Sequence, residues 1–220
     1  MSKIRENYSN ALKELQHEIL RMGALVEQAV GDAVDSLKKQ DLELAQKVIN
    51  GDDLIDKLEL EIEDKCLKLI ATQQPMAKDL RRIGTGFKLI ADLERVGDYA
   101  VDIAKITLRI GSEPLLKPLI DIPRMAKMAQ EMLKDSLDSY VREDVELAST
   151  LKERDDEVDH IYAQIYRELL TYMLADPKTI NQATFLMFVG RYLERIGDHT
   201  TNVGESVIFL VTGEREELND

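Results

Sequence analysis

Leu193–Asn202 reads LERIGDHTTN, and one hundred positions earlier Leu93–Asp102 reads LERVGDYAVD. In both copies an acid is followed by a second four positions on, Glu94 with Asp98 and Glu194 with Asp198. An α-helix turns once every 3.6 residues, so each pair stands on one helix face about one turn apart. Asp102 and Asn202, four positions further, extend the two rows. The duplication predicts a chain made of two equivalent halves.

The composition agrees with that reading and narrows the function classes. With 220 residues, 44% of them hydrophobic, the chain can bury a sizeable core, as one large domain or as two of about 110 residues. A formal net charge of −13 argues against nucleic-acid partners, which need a clustered basic surface, and leaves room for cations. Cys66 is the one cysteine and cannot form an internal disulfide. The opening MSKIRENYSNALKELQHEIL lacks the basic-then-apolar order of a signal peptide, so a cytoplasmic location is expected. Charge interrupts every apolar stretch well before the roughly 20 residues of a membrane span.

Outward from the repeat, Leu12 to Lys38 carries Leu12, Leu15, Ile19, Met22, Val26, Ala29, Ala33 and Leu37 at alternating three and four spacing, which predicts an amphipathic helix. A second helix holds Leu44, Val48, Ile55, Leu58, Ile62 and Leu69, with a turn chemically easy at Asn50-Gly51, so that it begins at the latest by Asp52. Gln73-Gln74-Pro75 ends it. A third helix from about residue 78 places Ile83, Ile90, Leu93, Gly97, Ala100 and Ala104 on one stripe. Each interior glycine costs about 1 kcal/mol against alanine, so Gly84, Gly86 and Gly97 predict a closely approaching neighbouring backbone.

Gly111–Pro123 (GSEPLLKPLIDIP) holds three of the five prolines and is the natural boundary. Beyond it the first half is replayed. A shift of 103 positions lays Arg124-Met125 on Arg21-Met22, Asp135 on Asp32, Asp138 on Asp35 and Asp144-Val-Glu-Leu-Ala on Asp41-Leu-Glu-Leu-Ala. Val158, Ile161, Ile165 and Leu169 fall on Ile55, Leu58, Ile62 and Cys66; a loop three residues shorter then lays Glu194 on Glu94. No β-alternating stretch is present, aromatics make up 5% and tryptophan is missing. The expected fold is all-α: two tandem antiparallel three-helix bundles related by a pseudo-twofold, at residues 1–112 and 124–220, with a proline-rich linker at 113–123.

The alignment exposes a second pair of acids in each half, Asp52 with Asp56 and Asp155 with Asp159. Acids at a helix N-terminus cap free amides and favour the macrodipole; that covers Asp52 and Asp155 better than Asp56 and Asp159, which lie a turn deeper. Asp56 stands 19 positions before Pro75 and Glu94 stands 19 after it, so an antiparallel hairpin brings them level and sets Asp52 opposite Asp98. Asp159 and Glu194 flank Pro177 at 18 and 17 positions. Two clusters of four carboxylates result, each repelling itself by several kcal/mol unless protons or cations neutralise it. Oxygen-only donors suit magnesium, calcium, manganese or iron, and bridging carboxylates can hold more than one ion. Arg81, Arg82, Arg95, Arg191 and Arg195 offer ordinary ion pairs instead, which would suffice for one such pair; four, level-matched and duplicated, favour metal.

Two tandem three-helix units, each with a Glu-Arg-Val/Ile-Gly-Asp helix and an upstream Asp-x-x-x-Asp helix, resemble the PhoU family of phosphate-uptake regulators over essentially the whole chain. The resemblance implies a cytoplasmic accessory protein of the phosphate ABC transporter, peripheral to the membrane through its partners and homodimeric. Those partners would be the transporter ATPase and a phosphate-sensing histidine kinase, with the starvation response held off when phosphate is plentiful. It also implies multinuclear clusters of a divalent or trivalent metal (iron, manganese, magnesium or zinc) on Asp52, Asp56, Glu94, Asp98, Asp155, Asp159, Glu194 and Asp198. Asp102 and Asn202 complete the expected metal-ligand rows; Asn202 departs from its repeat partner and, offering an amide oxygen, would leave the second site with less charge.

Other classes have less behind them. A ferritin-like, carboxylate-bridged di-metal enzyme needs Glu-x-x-His on two helices, and Glu14-Leu-Gln-His17 is the one instance. A histidine-phosphotransfer module would use His160 or His199, whose repeat partners are Lys57 and Tyr99. No Gly-rich phosphate loop, Ser-His-Asp set or zinc-type Cys/His spacing points to an enzyme.

Overall fold

A computed structural model describes residues 3–219, and among them there are helices and no strand. The first half comprises α1 (Lys3–Lys39), α2 (Leu42–Gln73) and α3 (Lys78–Ile110). The second comprises α4 (Asp121–Arg142), a short α5 (Val145–Ser149), α6 (Leu151–Ala175) and α7 (Ile180–Thr212), with a 3₁₀ turn at Pro177–Thr179 before α7. The all-α duplicated architecture expected from the repeat is the one observed; residues 1, 2 and 220 of the expected repeat limits lie outside the described residues.

The same local chemistry starts the equivalent helices. Asp41 accepts from the Leu44 amide at 2.9 Å, and its repeat partner Asp144 accepts from the Leu147 amide at 3.0 Å, each satisfying one otherwise free N–H of a first turn. Three details differ from the sequence reading. First, α1 begins at Lys3 rather than near Leu12, with Tyr8 and Ala11 packed against the core. Second, α2 runs unbroken through Asn50-Gly51, because Val48 and Ile55 are buried on either side and Gln46 Nε2 donates to Asn50 Oδ1 at 2.8 Å along the helix. The interruption falls instead in the equivalent arm of the second half, where Thr150 separates α5 from α6 and its Oγ1 donates to the Leu147 carbonyl at 2.7 Å. Third, the α3 glycines meet side chains, not backbone: a Cβ on Gly86 would lie 3.1 Å from Ile19 Cδ1, one on Gly97 3.3 Å from Ile55 Cδ1, and one on Gly84 would meet nothing within 4 Å. Helix α4 begins at Asp121, so Pro123 sits in its first turn, where no intrahelical donor is lost.

Within each half the middle arm and the last helix form a hairpin: α3 packs on α1 and α2, and α7 on α4 and α6. The halves meet along α3–α7 and α1–α4, and their buried residues join in one core running from Ile19, Met22 and Ile90 to Met125, Met132 and Leu193. The α3–α7 seam runs antiparallel. Arg81 Nε donates to the Leu210 carbonyl at 3.3 Å and Thr85 Oγ1 to the Ser206 carbonyl at 3.3 Å, while further along Asp92 receives His199 and Tyr99 stacks on Tyr192 at 5.7 Å. A shift of one hundred positions exchanges Asp92 with Tyr192 and Tyr99 with His199, so the seam is self-complementary, as a pseudo-twofold requires. Among the described residues no helix is long and apolar enough to cross a membrane.

Candidate metal centres

Helix α2 carries Asp52 and Asp56 one turn apart, and α3 presents Glu94 and Asp98 toward them. The Asp52 carboxyl is pushed up to about 6, first by burial and then by repulsion from Asp56 and Asp98, with Lys105 acting against the shift. Glu94 is raised by burial and by Asp98, with Arg95 opposing and Glu59 and Asp56 adding to the rise. The hairpin register read from Pro75 is therefore the register seen. Gly97 lets the two helices close beside this site, since a Cβ there would press on Ile55 Cδ1 at 3.3 Å, with Asp52 Oδ1 at 3.8 Å. Arg95 supplies the nearest counter-charge, 2.9 Å from Asp98 Oδ2 and 3.5 Å from Glu94 Oε2.

The second cluster is drier. Asp155 is 8% exposed and Glu194 9%, and Asp155 Oδ1 and Glu194 Oε2 have no hydrogen-bond partner. Burial, followed by the charges of Asp198, Asp159 and Glu194, pushes the Asp155 carboxyl up to about 7. Asp159 is raised by burial and Asp198, and Glu194 by burial and Asp198 against the opposing Arg191. Arg191 Nη1 donates to Glu194 Oε1, and Arg195 Nη1 to Asp198 Oδ2 at 3.1 Å. Gly197 does for this site what Gly97 does for the first, more tightly: a Cβ on it would come within 2.5 Å of Asp155 Oδ1.

Not every residue of the two rows turns into a cluster. Asp102 pairs with Lys105 at 3.1 Å. Asn202 donates its side-chain amide to Asp92 Oδ1 at 3.2 Å, beside the 2.9 Å contact of His199 Nδ1 with the same oxygen, across the seam between the halves. Arg82 engages Glu143 and Arg81 a backbone carbonyl, so neither neutralises a cluster. One acid absent from the sequence reading lies beside the first cluster. Glu59 is raised by burial and by the charges of Glu63, Asp56 and Asp98; its position, one turn past Asp56 on the same face of α2, was the available signal. Among the described residues no three His, Cys, Asp or Glu side chains converge closely enough to hold an ion as they are placed. Arg95, Arg191 and Arg195 engage four of their oxygens instead.

A PhoU domain model matches the chain twice, at residues 19–107 and 122–207. The chain belongs to the PhoU family. The phosphate-specific transport system accessory protein PhoU homolog of Clostridium acetobutylicum is 46% identical to it over 217 residues, covering 98% of this chain and 99% of the relative. The homolog of the same description from Aquifex aeolicus is 45% identical and covers 92% of each. The crystal structure of PhoU from Pseudomonas aeruginosa superposes with a TM-score of 0.90 at 36% identity, covering 94% of this chain and all of that one.

Whether the residues suit the metal that the family resemblance implies is a question of donors. Each cluster offers carboxylate oxygens only, the set preferred by hard and borderline cations. Two of the eight carboxylates keep a buried oxygen without a partner, which is costly for any polar group that stays unbonded. A glycine clears the space beside Asp155. The donor set fits.

Proposed function

We propose that this chain is a regulatory accessory protein of phosphate uptake, which restrains the phosphate ABC transporter and keeps starvation signalling through a sensor histidine kinase off when phosphate is plentiful. In this reading it acts in the cytoplasm as a homodimer, peripheral to the membrane through the transporter ATPase and the kinase, and it is not an enzyme. The observation that carries the reading is a pair of level-matched acid clusters, one in each half of a chain that aligns end to end with proteins named as transport-system accessory proteins.

The residues support a docking role in a definite way. Asp52, Asp56, Glu94 and Asp98 would hold metal between α2 and α3, and Asp155, Asp159, Glu194 and Asp198 between α6 and α7. A cation held there would supply charge neutralisation to the acids of the two helices. The protein's own part is to set those helices level, to keep Asp155 and Glu194 away from water, and to offer strongly acidic faces to a basic patch on a partner, where complementary charge governs encounter rate and specificity.

Deletion tests this reading. Cells without the protein are expected to express phosphate-starvation genes in phosphate-rich medium and to accumulate phosphate, and an Asp98→Ala/Asp198→Ala variant is expected to restore control less well than the wild type. The pure protein is expected to turn over neither phosphate esters nor nucleotides with any divalent metal. Normal phosphate control in the deletion strain would remove the regulator; metal-dependent turnover would restore the carboxylate-bridged enzyme.

A further inference from the structure

Where the two halves meet beside the start of α3, a cleft of about 260 Å³ opens between α1, α3, α4 and α7. Leu12 and Leu210 give it apolar walls, and Lys13, Arg82, Tyr140 and Glu143 are among its polar lining. Tyr140 is 5% exposed, and a Cβ on Gly86 would stand 3.9 Å from its hydroxyl. That hydroxyl has no hydrogen-bond partner among the described residues, a costly state for a buried polar group. Burial holds the phenol above its ordinary range, so it keeps its proton and can donate. Lys13 is exposed and likewise unpaired. Arg82 gives Nε and Nη2 to Glu143 Oε1 at 3.0 and 2.6 Å, which leaves Nη1 with a 3.5 Å ion pair to Asp79. The pseudo-equivalent place is closed. Offsets of 103 between the α1 and α4 segments and 100 between α3 and α7 pair Tyr140 with Leu37, Lys13 with Leu116, Arg82 with Gln182 and Glu143 with Gln40. There the glutamines clasp the linker: Gln40 donates to the Gly111 and Glu113 carbonyls, and Gln182 donates to the Pro114 carbonyl and accepts from the Leu116 amide.

We propose that this cleft binds a tetrahedral oxyanion, free or carried on a small polar molecule, with the Tyr140 hydroxyl, the Lys13 ammonium and Arg82 Nη1 as its donors. Its volume lies below the roughly 300 Å³ at which sites for drug-sized ligands begin, which keeps the occupant small. The sign of the ligand follows from the charges around it: Lys13, Lys78 and Arg82 outnumber Asp79 and Glu143, in a chain whose net charge is −13. Its shape follows from the donors. They come from three helices, α1, α3 and α4, and suit the several oxygens of a tetrahedral group better than the two of a carboxylate. Bonds from ammonium and guanidinium to such an oxyanion are about twice as strong as neutral hydrogen bonds. The bound anion joins α1 and α3 of the first half to α4 of the second and so stabilises the folded chain. The cleft is separate from both acid clusters and does not depend on metal.

An NMR titration of the ¹⁵N-labelled full chain tests the proposal, with chelator present so that the acid clusters hold no metal, and with ionic strength fixed by chloride. The probes are inorganic phosphate, glycerol 3-phosphate and acetate. Saturable shifts are expected at the amides of residues 9–16, 82 and 140–143, with acetate at least about tenfold weaker for want of one charge-assisted hydrogen bond. Saturation at the lower concentration by inorganic phosphate assigns the free ion, and by glycerol 3-phosphate the same group on an organic body; either supports the proposal. Tyr140→Phe removes a hydroxyl that has no partner within the chain and is expected to weaken binding about tenfold or more. Lys13→Gln, at an exposed position, is expected to weaken it likewise and carries the test if Tyr140→Phe fails to fold by circular dichroism. No saturable shift at these amides with either phosphate probe, acetate binding as tightly as phosphate, or wild-type affinity in the folded variants would overturn the proposal.

Discussion

Asp155 is the residue at which burial and function pull hardest against each other. An unfolded aspartate titrates near 3.9, whereas the folded carboxyl is pushed up to about 7 by burial and by Asp198, Asp159, Glu194 and Asp156. Between those values the folded state holds more protons than the unfolded one, so stability is full below about pH 4 and is lost as the pH rises to about 7. With chelator present, Asp155→Asn is expected to remove that loss and to leave the protein about 1–3 kcal/mol more stable than the wild type at pH 8. Urea unfolding of both proteins at pH 5 and pH 8 checks this, and parallel pH profiles would refute it. The paired acids were legible in the sequence because helical spacing and the internal repeat both select them. Glu59 was not, because it breaks the repeat, and a comparison of two halves favours what they share; Arg191 was read as an ordinary ion-pair partner, which is how it meets Glu194. Asn202 and Asp102 were read from spacing along one helix, which does not show that the row curves away toward the α3–α7 seam and Lys105.

At the scale of elements, what counts is how one helix end or one glycine sets the level of its neighbour. The caps Asp41 and Asp144 are equivalent by sequence and by geometry, so Asp41→Ala and Asp144→Ala should each cost about 1 kcal/mol, measured as a lower urea midpoint. Gly197 and Gly97 are equivalent by sequence but not by space. A methyl group at 197 would run into Asp155 Oδ1, while one at 97 would press on Ile55 Cδ1 at 3.3 Å and reach Asp52 Oδ1 only at an ordinary 3.8 Å. Gly197→Ala is thus expected to turn the Asp155 carboxylate and weaken metal binding in the second half, and Gly97→Ala to weaken the first half less; equal losses in a Mn²⁺ titration would count against the cradle. Helix positions were readable because apolar residues recur at the helical period over long stretches. Helix breaks were not: Asn50-Gly51 has the chemistry of a turn, yet the flanking Val48 and Ile55 are buried, and packing outweighs a glycine cost of about 1 kcal/mol.

At the scale of the whole molecule, two hairpins with level carboxylates are joined along a seam that the sequence did not reveal. Which helix follows which could be read from periodicity; which faces of the two halves meet could not, because the seam uses the same apolar pattern as the interior of each half. Asp92 shows the difference. It stands beside Leu93 at the head of the repeated motif, and its role is to accept from His199 and Asn202 of the other half. Asp92→Ala would leave both without their acceptor at a cost of about 1–3 kcal/mol, and should lower the thermal midpoint without changing metal content. The metal content itself is the most direct measure of the account as a whole. Elemental analysis of protein purified without chelator is expected to find metal in the wild type, less in Glu94→Ala and in Glu194→Ala, and almost none in the double variant, with the helical circular dichroism of all four alike. The same metal-to-protein ratio in all four would contradict the account and leave the carboxylates as partners of Arg95, Arg191 and Arg195 alone.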